Sequence, residues 1–413
     1  MIAAPNSKKN ASYINRLNKI EVLKLIREST VISRAEIVKR TSLSAPTVTR
    51  IVDGLIEAGL VSVLGDGNST GGRPPKMITF KGDQNYVIGL DLGSTSIRAG
   101  IANLNGNIII EIETPTDLAG GFEKVISQCG GLIDKLVSRS KIDEIKFLGL
   151  GVAVAGLIKG ESGIITYSPM FKWNEVDLNE ELRKHTDLPI FYDNVSRITA
   201  LGELLYGIGR EHKNFINVNA GYGIGAGVII DGYRYFGSKG YTGELGHIVV
   251  DRNSDYVGKD GIRGCLEALS SGSGIAEIAK IRLKNEKLDS LILIETTGNI
   301  NSVTAKNVFD AAKKGDPLAI EIIDDAMYYL AVGIDSLIKL FNPSAIVING
   351  GLTNNGKFFF DKLNENLQSI SLIPTEKRLA IHPSSFKGDA TLMGAFSLVI
   401  SKVLQLNKDV IPE

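Results

Sequence analysis

Residues 86–110 read YVIGLDLGSTSIRAGIANLNGNIII, and residues 215–236 read FINVNAGYGIGAGVIIDGYRYF. Each is an apolar run, a glycine-rich turn with a small hydroxyl or aromatic residue, a second apolar run, and a tight turn into a third (Asn105-Gly106 in one, Asp231-Gly232 in the other). Asn-Gly and Asp-Gly between apolar runs mark β-hairpins, because these residues reach positive φ at little cost. Helix-like stretches, such as Ser196 to Tyr206 and Ala319 to Leu340, lie between and after them. An α/β chain with a duplicated Gly-rich hairpin predicts two lobes around a cleft, each turn offering backbone N–H groups to phosphate oxygens. One such turn alone would be only a turn.

The rest of the chain is consistent with that reading. Its 413 residues suit two or three domains, and 43% hydrophobic with 22% charged residues is ordinary for a globular protein. The longest apolar run with small residues, Phe147 to Ile158, falls short of the roughly 18–20 residues that span a bilayer and reads as a buried strand. The first residues, MIAAPNSKKN, have no apolar stretch after their charges, so secretion is not expected. Cys129 and Cys265 are far apart and make no disulfide framework, which fits a reducing cytoplasm. A membrane protein, a secreted scaffold and a coiled coil are excluded.

Formal net charge is zero but unevenly spread. Residues 1–82 carry thirteen Lys/Arg and six Asp/Glu, a balance of 13 − 6 = +7, so the remainder carries −7. A basic small segment on an acidic large one predicts a part that meets a polyanion. Its pattern agrees. Lys19 to Glu28 sets Ile20, Leu23 and Ile26 on one helical stripe, and Arg34 to Arg40 reads as a second helix burying Ala35 and Val38. In TSLSAPTVTRIVDGLIEAGLV (41–61), Ser44 is an N-cap, Pro46 is tolerated in a first turn, and Gly59 stops the helix. Val48, Ile51, Val52 and Leu55 share one face of this third helix. Ser44, Ala45, Pro46, Thr47, Thr49 and Arg50 are left to approach phosphates and base edges in a major groove. Leu60 to Leu64 and Lys76 to Phe80 read as two strands, giving a winged helix-turn-helix over residues 1–82. Arg73 at the wing tip suits a narrow, electronegative minor groove.

The chain resembles the ROK family (repressors, open reading frames and sugar kinases) along essentially its whole length. The most specific stretch is Gly243-Glu244-Leu245-Gly246-His247 followed by Gly261-Ile262-Arg263-Gly264-Cys265-Leu266-Glu267, similar to the family's GE-x-GH and G-x-x-GCLE signatures. Asp91-Leu92-Gly93-Ser94-Thr95, Gly221-Tyr222-Gly223-Ile224-Gly225, Asn342-Pro343, Gly350-Gly351 and Gly388-Asp389-Ala390 through Gly394-Ala395 agree as well. A winged helix-turn-helix before a sugar-kinase-like body is the arrangement of the repressor branch, which includes xylose- and N-acetylglucosamine-responsive regulators. The resemblance implies a two-lobed actin-like (ribonuclease H-like) body, with one lobe over 83–198 and the other over 199–385, residues 386–413 returning to the first. It also implies a sugar site in the cleft and a homodimer or tetramer. Asp91, Gly93, Thr95, Gly221, Gly223 and Gly225 are the nucleotide-phosphate turns, if these are retained.

Three departures shape the functional reading. In family kinases an Asp takes a proton from the attacking sugar hydroxyl, eight residues before the Glu of an Ala-Leu-Gly-Glu segment. Here that segment is Ala200-Leu201-Gly202-Glu203, and the eighth residue back is Val195. The nearby carboxylate, Asp193, is the base only under a shifted alignment, and it is otherwise a sugar-hydroxyl partner with Asn194, or a turn and cap. Second, the family often builds a zinc site from three cysteines and the GE-x-GH histidine. The matching positions are Gly258, Asp260, Cys265 and His247, so zinc is not expected and His247 supports the sugar site directly. Third, Met170 stands where kinases commonly carry Asn, and Ala155-Gly156 replaces Pro-Gly. Glu244 and Glu267 are then the leading sugar ligands beside Gly156, Asn194 and His247, and Trp173 is either a sugar wall or core.

These readings combine into a DNA-binding, sugar-responsive repressor of carbohydrate-utilisation genes that requires no cofactor and binds double-stranded operator DNA. The rival is a sugar kinase, using ATP and Mg²⁺, with an accessory DNA-binding head. A third possibility is a constitutive regulator that binds a partner protein and no sugar.

Overall fold

The computed structural model describes residues 7–67, 74–160, 162–286, 289–294, 296–371 and 379–404, with residues 7–13 and 16 as backbone only. The wing-tip residue Arg73 lies outside the described residues. The chain begins with α1 (Ser7–Glu28), β1 (Ile32–Ser33), α2 (Arg34–Thr41), α3 (Ala45–Glu57), β2 (Val61–Asp66) and β3 (Lys76–Phe80). The two short helices are fixed locally. Ser33 and Glu36 form a reciprocal capping box at the start of α2, and the Ser44 hydroxyl accepts from the Thr47 amide at the start of α3, with a proline in its first turn. Val48, Val52 and Leu55 of α3 bury against Val22, Leu23 and Ile26 of α1 within one apolar cluster. Two details differ from the sequence reading. Ile37 is the fully buried residue of α2, Val38 is half-buried against the same cluster, and Ala35 is exposed. The two-residue strand β1, too short to signal in sequence, pairs Ile32 with Ile78 and makes the sheet three-stranded, in the order β1-β3-β2.

The first lobe follows with β4 (Tyr86–Leu92), β5 (Ser96–Asn103), β6 (Ile108–Pro115), α4 (Gly121–Ser140), β7 (Phe147–Val154), a small sheet of β8 (Leu157–Ile158), β9 (Ile164–Ser168) and β10 (Trp173–Asp177), α5 (Leu178–Leu182) and β11 (Ile190–Asn194). α6 (Val195–Tyr206) leads to the second lobe: β12 (Phe215–Ala220), β13 (Ile224–Ile230), β14 (Tyr233–Arg234), α7 (Leu266–Ser270), α8 (Gly272–Glu286), α9 (Leu291–Ile294), α10 (Ala305–Lys313), α11 (Pro317–Phe341), β15 (Ala345–Asn349), α12 (Lys357–Ile370) and β16 (Ala380–Pro383). α13 (Ala390–Val403) then packs on β4 and β7 of the first lobe.

The two main sheets share one topology. Their orders are β11-β7-β4-β5-β6 and β14-β13-β12-β15-β16, each an antiparallel three-strand meander extended by two parallel strands. The repeated unit of the sequence is therefore the three-strand meander that opens each lobe. Central strands such as β4, β7 and β15 are almost wholly apolar because both faces are covered. Trp173 belongs to this core, stacked on Phe171 at 4.3 Å between ring centroids and edge-on to Phe122, and it does not wall a sugar. Among the described residues no helix is long and apolar enough to cross a membrane.

Candidate functional site

Three backbone features converge between the lobes: the turn after β7, the junction of β11 with α6, and the segment from β13 to the start of α7. They enclose a cavity of about 560 Å³, of the size that holds a small ligand. Gly156, Asn194, Glu244, His247 and Glu267 of the sequence-predicted set line it, together with Ser168, Met170, Val195, Ser196, Tyr241 and Asp260. Asn194 caps α6, accepting from the Ser196 amide, and its Nδ2 donates to the Gly156 carbonyl at 3.1 Å. Glu267 Oε2 accepts from the Ile224 amide at 3.1 Å, which aims that carboxylate along the second Gly-rich turn. Burial lifts the Glu244 carboxyl above its usual range, and Glu267 adds to the lift. His247 and Arg197 oppose it.

Asp193 is not in the cavity wall. One of its carboxylate oxygens takes Arg197 Nε at 2.7 Å and the other takes Arg234 Nη1 at 2.6 Å, with all three side chains buried. A carboxylate spent on two guanidiniums neither abstracts a proton nor accepts from a sugar hydroxyl, so both roles expected of Asp193 are withdrawn. At the start of α6 the cavity wall is Asn194, Val195 and Ser196, none of them a carboxylate, and Val195 has no proton to exchange. Met170 sits across the cleft mouth, its sulfur 3.6 Å from Ser94 Oγ and its methyl beside Gly223.

Asp260 joins the loops around His247. His247 Nδ1 bonds Asp260 Oδ2, and Asp260 Oδ1 accepts from the Ile262 amide at 2.9 Å. A β-carbon at Gly258 would lie 2.5 Å from Asp260 Oδ1 and 2.7 Å from Cys265 Sγ, so no side chain fits there. Burial pushes the Cys265 thiol up, and it is a single thiol where the pattern calls for three. The residues present do not fit a thiolate-rich zinc site. Asp260 is the residue that sequence reasoning missed as a site member; its place in the zinc pattern was the available signal.

A second cavity, of about 1140 Å³, lies on the far side of Glu267 and is lined by Thr95, Gly221, Tyr222 and Gly351 among others. Gly223 and Gly225 face the first cavity instead. Asp91 and Gly93 line neither. Burial raises the Asp91 carboxyl to about 7, against the pull of Arg98. With Asp91 outside both cavities and Val195 at the cleft, the residues at the start of α6 do not supply the general base that phosphoryl transfer from a sugar hydroxyl needs.

On the head, Ser44, Ala45, Pro46, Thr49 and Arg50 are exposed along the start of α3 and Thr47 is half-buried. Arg34 neutralises Asp53 on the exposed side of α3 at 2.5 Å, and Arg50 Nη2 donates to Asn15 Oδ1 at 3.3 Å.

The sequence profile of the ROK family matches residues 87–402. The chain belongs to the ROK family. A profile of the MarR family matches residues 16–68, the helical part of the head. The chain is 31% identical over 395 residues to the xylose repressor of Caldicellulosiruptor bescii, covering 96% of this chain and 98% of that one. It is 32% identical to the glucokinase of Thermotoga maritima, covering 77% of this chain and 98% of that one. Among solved structures, a ROK-family transcriptional regulator homologous to the Escherichia coli Mlc protein superposes with a TM-score of 0.79 at 26% identity, over 95% of this chain and 97% of that one.

Proposed function

We propose that this ROK protein is a sugar-responsive transcriptional repressor, and that a sugar held in the cleft of a kinase-derived body changes its affinity for operator DNA. Val195 carries the reading. It occupies the cleft-facing start of α6 where a general base would have to stand, in a chain whose exposed α3 is built for a DNA groove. The similarity to a xylose repressor along nearly the full length supports a pentose or hexose effector and control of carbohydrate-utilisation genes. Asn194, Glu244, His247 and Glu267 are the sugar ligands, the two carboxylates accepting from hydroxyls and Gly156 letting the backbone come close. Ser44 to Arg50 contact the operator. A homodimer, which can pair further into a tetramer, would set two heads on half-sites of a pseudo-palindrome, and DNA and sugar are its two ligands in the cytoplasm. Sugar changes operator affinity only to the extent that it binds one lobe arrangement better than the other.

The test is fluorescence anisotropy with the intergenic DNA upstream of its own gene, with and without D-xylose or D-glucose. No binding at moderate salt defeats the proposal. The similarity to a glucokinase favours a second reading, ATP-dependent sugar phosphorylation. A coupled ADP-release assay over hexoses, pentoses and N-acetylated sugars decides it, and no turnover above background is expected.

A further inference from the structure

α6 touches all three working parts of the molecule. Its first turn, with its cap, places Asn194, Val195 and Ser196 in the cavity wall. At about 1.5 Å per residue, its 12 residues run roughly 18 Å to Tyr206 at the other end. The Tyr206 ring lies against the Asn105-Gly106 turn of the first lobe so closely that a β-carbon at Gly106 would stand 2.6 Å from it. Its hydroxyl donates to the Leu104 carbonyl at 2.9 Å. On this same ring sits the guanidinium of Arg27, in the last turn of α1, 4.5 Å from the ring centroid. That is a cation–π contact between the DNA-binding head and the helix that starts in the sugar cleft.

The helix is packed closely along its length. It crosses α13 glycine on glycine: a β-carbon on Gly394 would lie 2.5 Å from the Ile198 carbonyl, and one on Gly202 would lie 3.2 Å from the Gly394 amide. Glu203, fully buried, binds Ser384 Oγ at 2.6 Å, the Ser385 amide at 3.0 Å and the Ile208 amide at 3.1 Å, tying α6 to the end of β16 in the second lobe. On its other side α13 contributes Leu392, Met393, Phe396 and Val399 to the apolar cluster that holds Val22, Leu23 and Ile26 of the head. A shift of the lobes at Asn194–Ser196 therefore arrives at Tyr206 as a rigid displacement.

We infer that α6 is the strut that carries the sugar signal to the head, and that Arg27 on Tyr206 is its point of delivery. This rests on the sugar-response reading above. Arg27 and Tyr206 touch neither ligand; they are positioning residues, and their loss severs response from binding.

The experiment measures, for the full chain, D-xylose and D-glucose binding by calorimetry and affinity for its upstream intergenic DNA with and without each sugar. In Arg27→Ala, sugar affinity and sugar-free DNA affinity stay within about threefold of wild type, while the sugar-induced change in DNA affinity shrinks at least fivefold. Tyr206→Leu behaves alike; Tyr206→Phe and Arg27→Lys, which keep ring and cation, retain most of the response. Arg27→Ala responding as fully as wild type overturns the strut with the sugar reading intact. A wild-type protein whose DNA affinity ignores both sugars overturns the sugar reading, and the strut with it.

Discussion

The Asp193 carboxylate and the Arg234 guanidinium form a buried ion pair at 2.6 Å, with side chains 6% and 4% exposed. Arg197 closes the triad on the other oxygen and donates through Nη1 to the Gly240 carbonyl. The triad joins β11, α6 and β14 behind the cleft. Removing one partner of a buried pair leaves a charge without compensation, at a cost of about 3–5 kcal/mol. Asp193→Ala is expected to lower the denaturation midpoint by that order in urea titrations. Asp193→Asn should lose less, since its amide oxygen still accepts from one guanidinium. Neither change should reveal or abolish any phosphoryl transfer, and an Asp193→Asn variant as stable as wild type would remove the triad from the stability of the cleft.

Metal removal should leave the protein's ligand binding intact. Asp260 takes His247 Nδ1, which leaves Nε2, 3.7 Å from Glu244 Oε2, on the cavity side. Purified protein dialysed against EDTA is expected to bind D-xylose or D-glucose as before and to carry far less than one zinc per chain by elemental analysis. Asp260→Ala frees the imidazole to turn away from the cavity and should weaken sugar binding measurably by calorimetry. Stoichiometric zinc whose removal abolishes sugar binding would defeat this account.

Much of this was legible in sequence because it rests on local rules. The two hairpins announced themselves through Asn105-Gly106 and Asp231-Gly232, and α3 through Ser44, Pro46 and its apolar stripe. Val195 was found by counting back from Glu203. The fate of Asp193 was only half legible: Arg197 stands four residues on, but Arg234, its second partner, lies 41 residues away on a two-residue strand. Nothing in the local run Tyr192-Asp193-Asn194 distinguishes a carboxylate facing a cleft from one facing two arginines. The Arg27–Tyr206 contact was likewise beyond reach, since it depends on how a separate head docks on the body.

Asp91 sets a pH dependence of stability. Its carboxyl titrates near 7 in the folded protein, against 3.8 for the ordinary group. The folded state therefore holds a proton that the unfolded chain has released, so Asp91 costs stability progressively as pH rises from about 4 to about 7, and the cost stays constant above that. Asp91→Asn keeps the neutral shape at every pH. It should raise the melting temperature at pH 8, by a stabilisation of up to about 4 kcal/mol, and make little difference at pH 4. Equal effects at both pH values would show that the gain came from elsewhere than the titration.

Arg50 is the long donor on the exposed face of α3, six residues after the Ser44 cap that starts the helix. In the DNA-free protein its side-chain hydrogen bond among the described residues is to Asn15, at 3.3 Å, and an exposed contact of that length is readily exchanged for a base or phosphate. A guanidinium in a major groove pairs in bidentate fashion with guanine, which is worth about 1–3 kcal/mol of discrimination. Arg50→Ala is therefore expected to weaken binding to the upstream intergenic DNA by that amount, while binding to random-sequence DNA changes much less. If Arg50 contacts phosphate instead, both affinities fall together and the slope of log affinity against log salt flattens by about one. If neither affinity moves, readout belongs to the short side chains of Ala45 to Thr49 and to the shape of the groove.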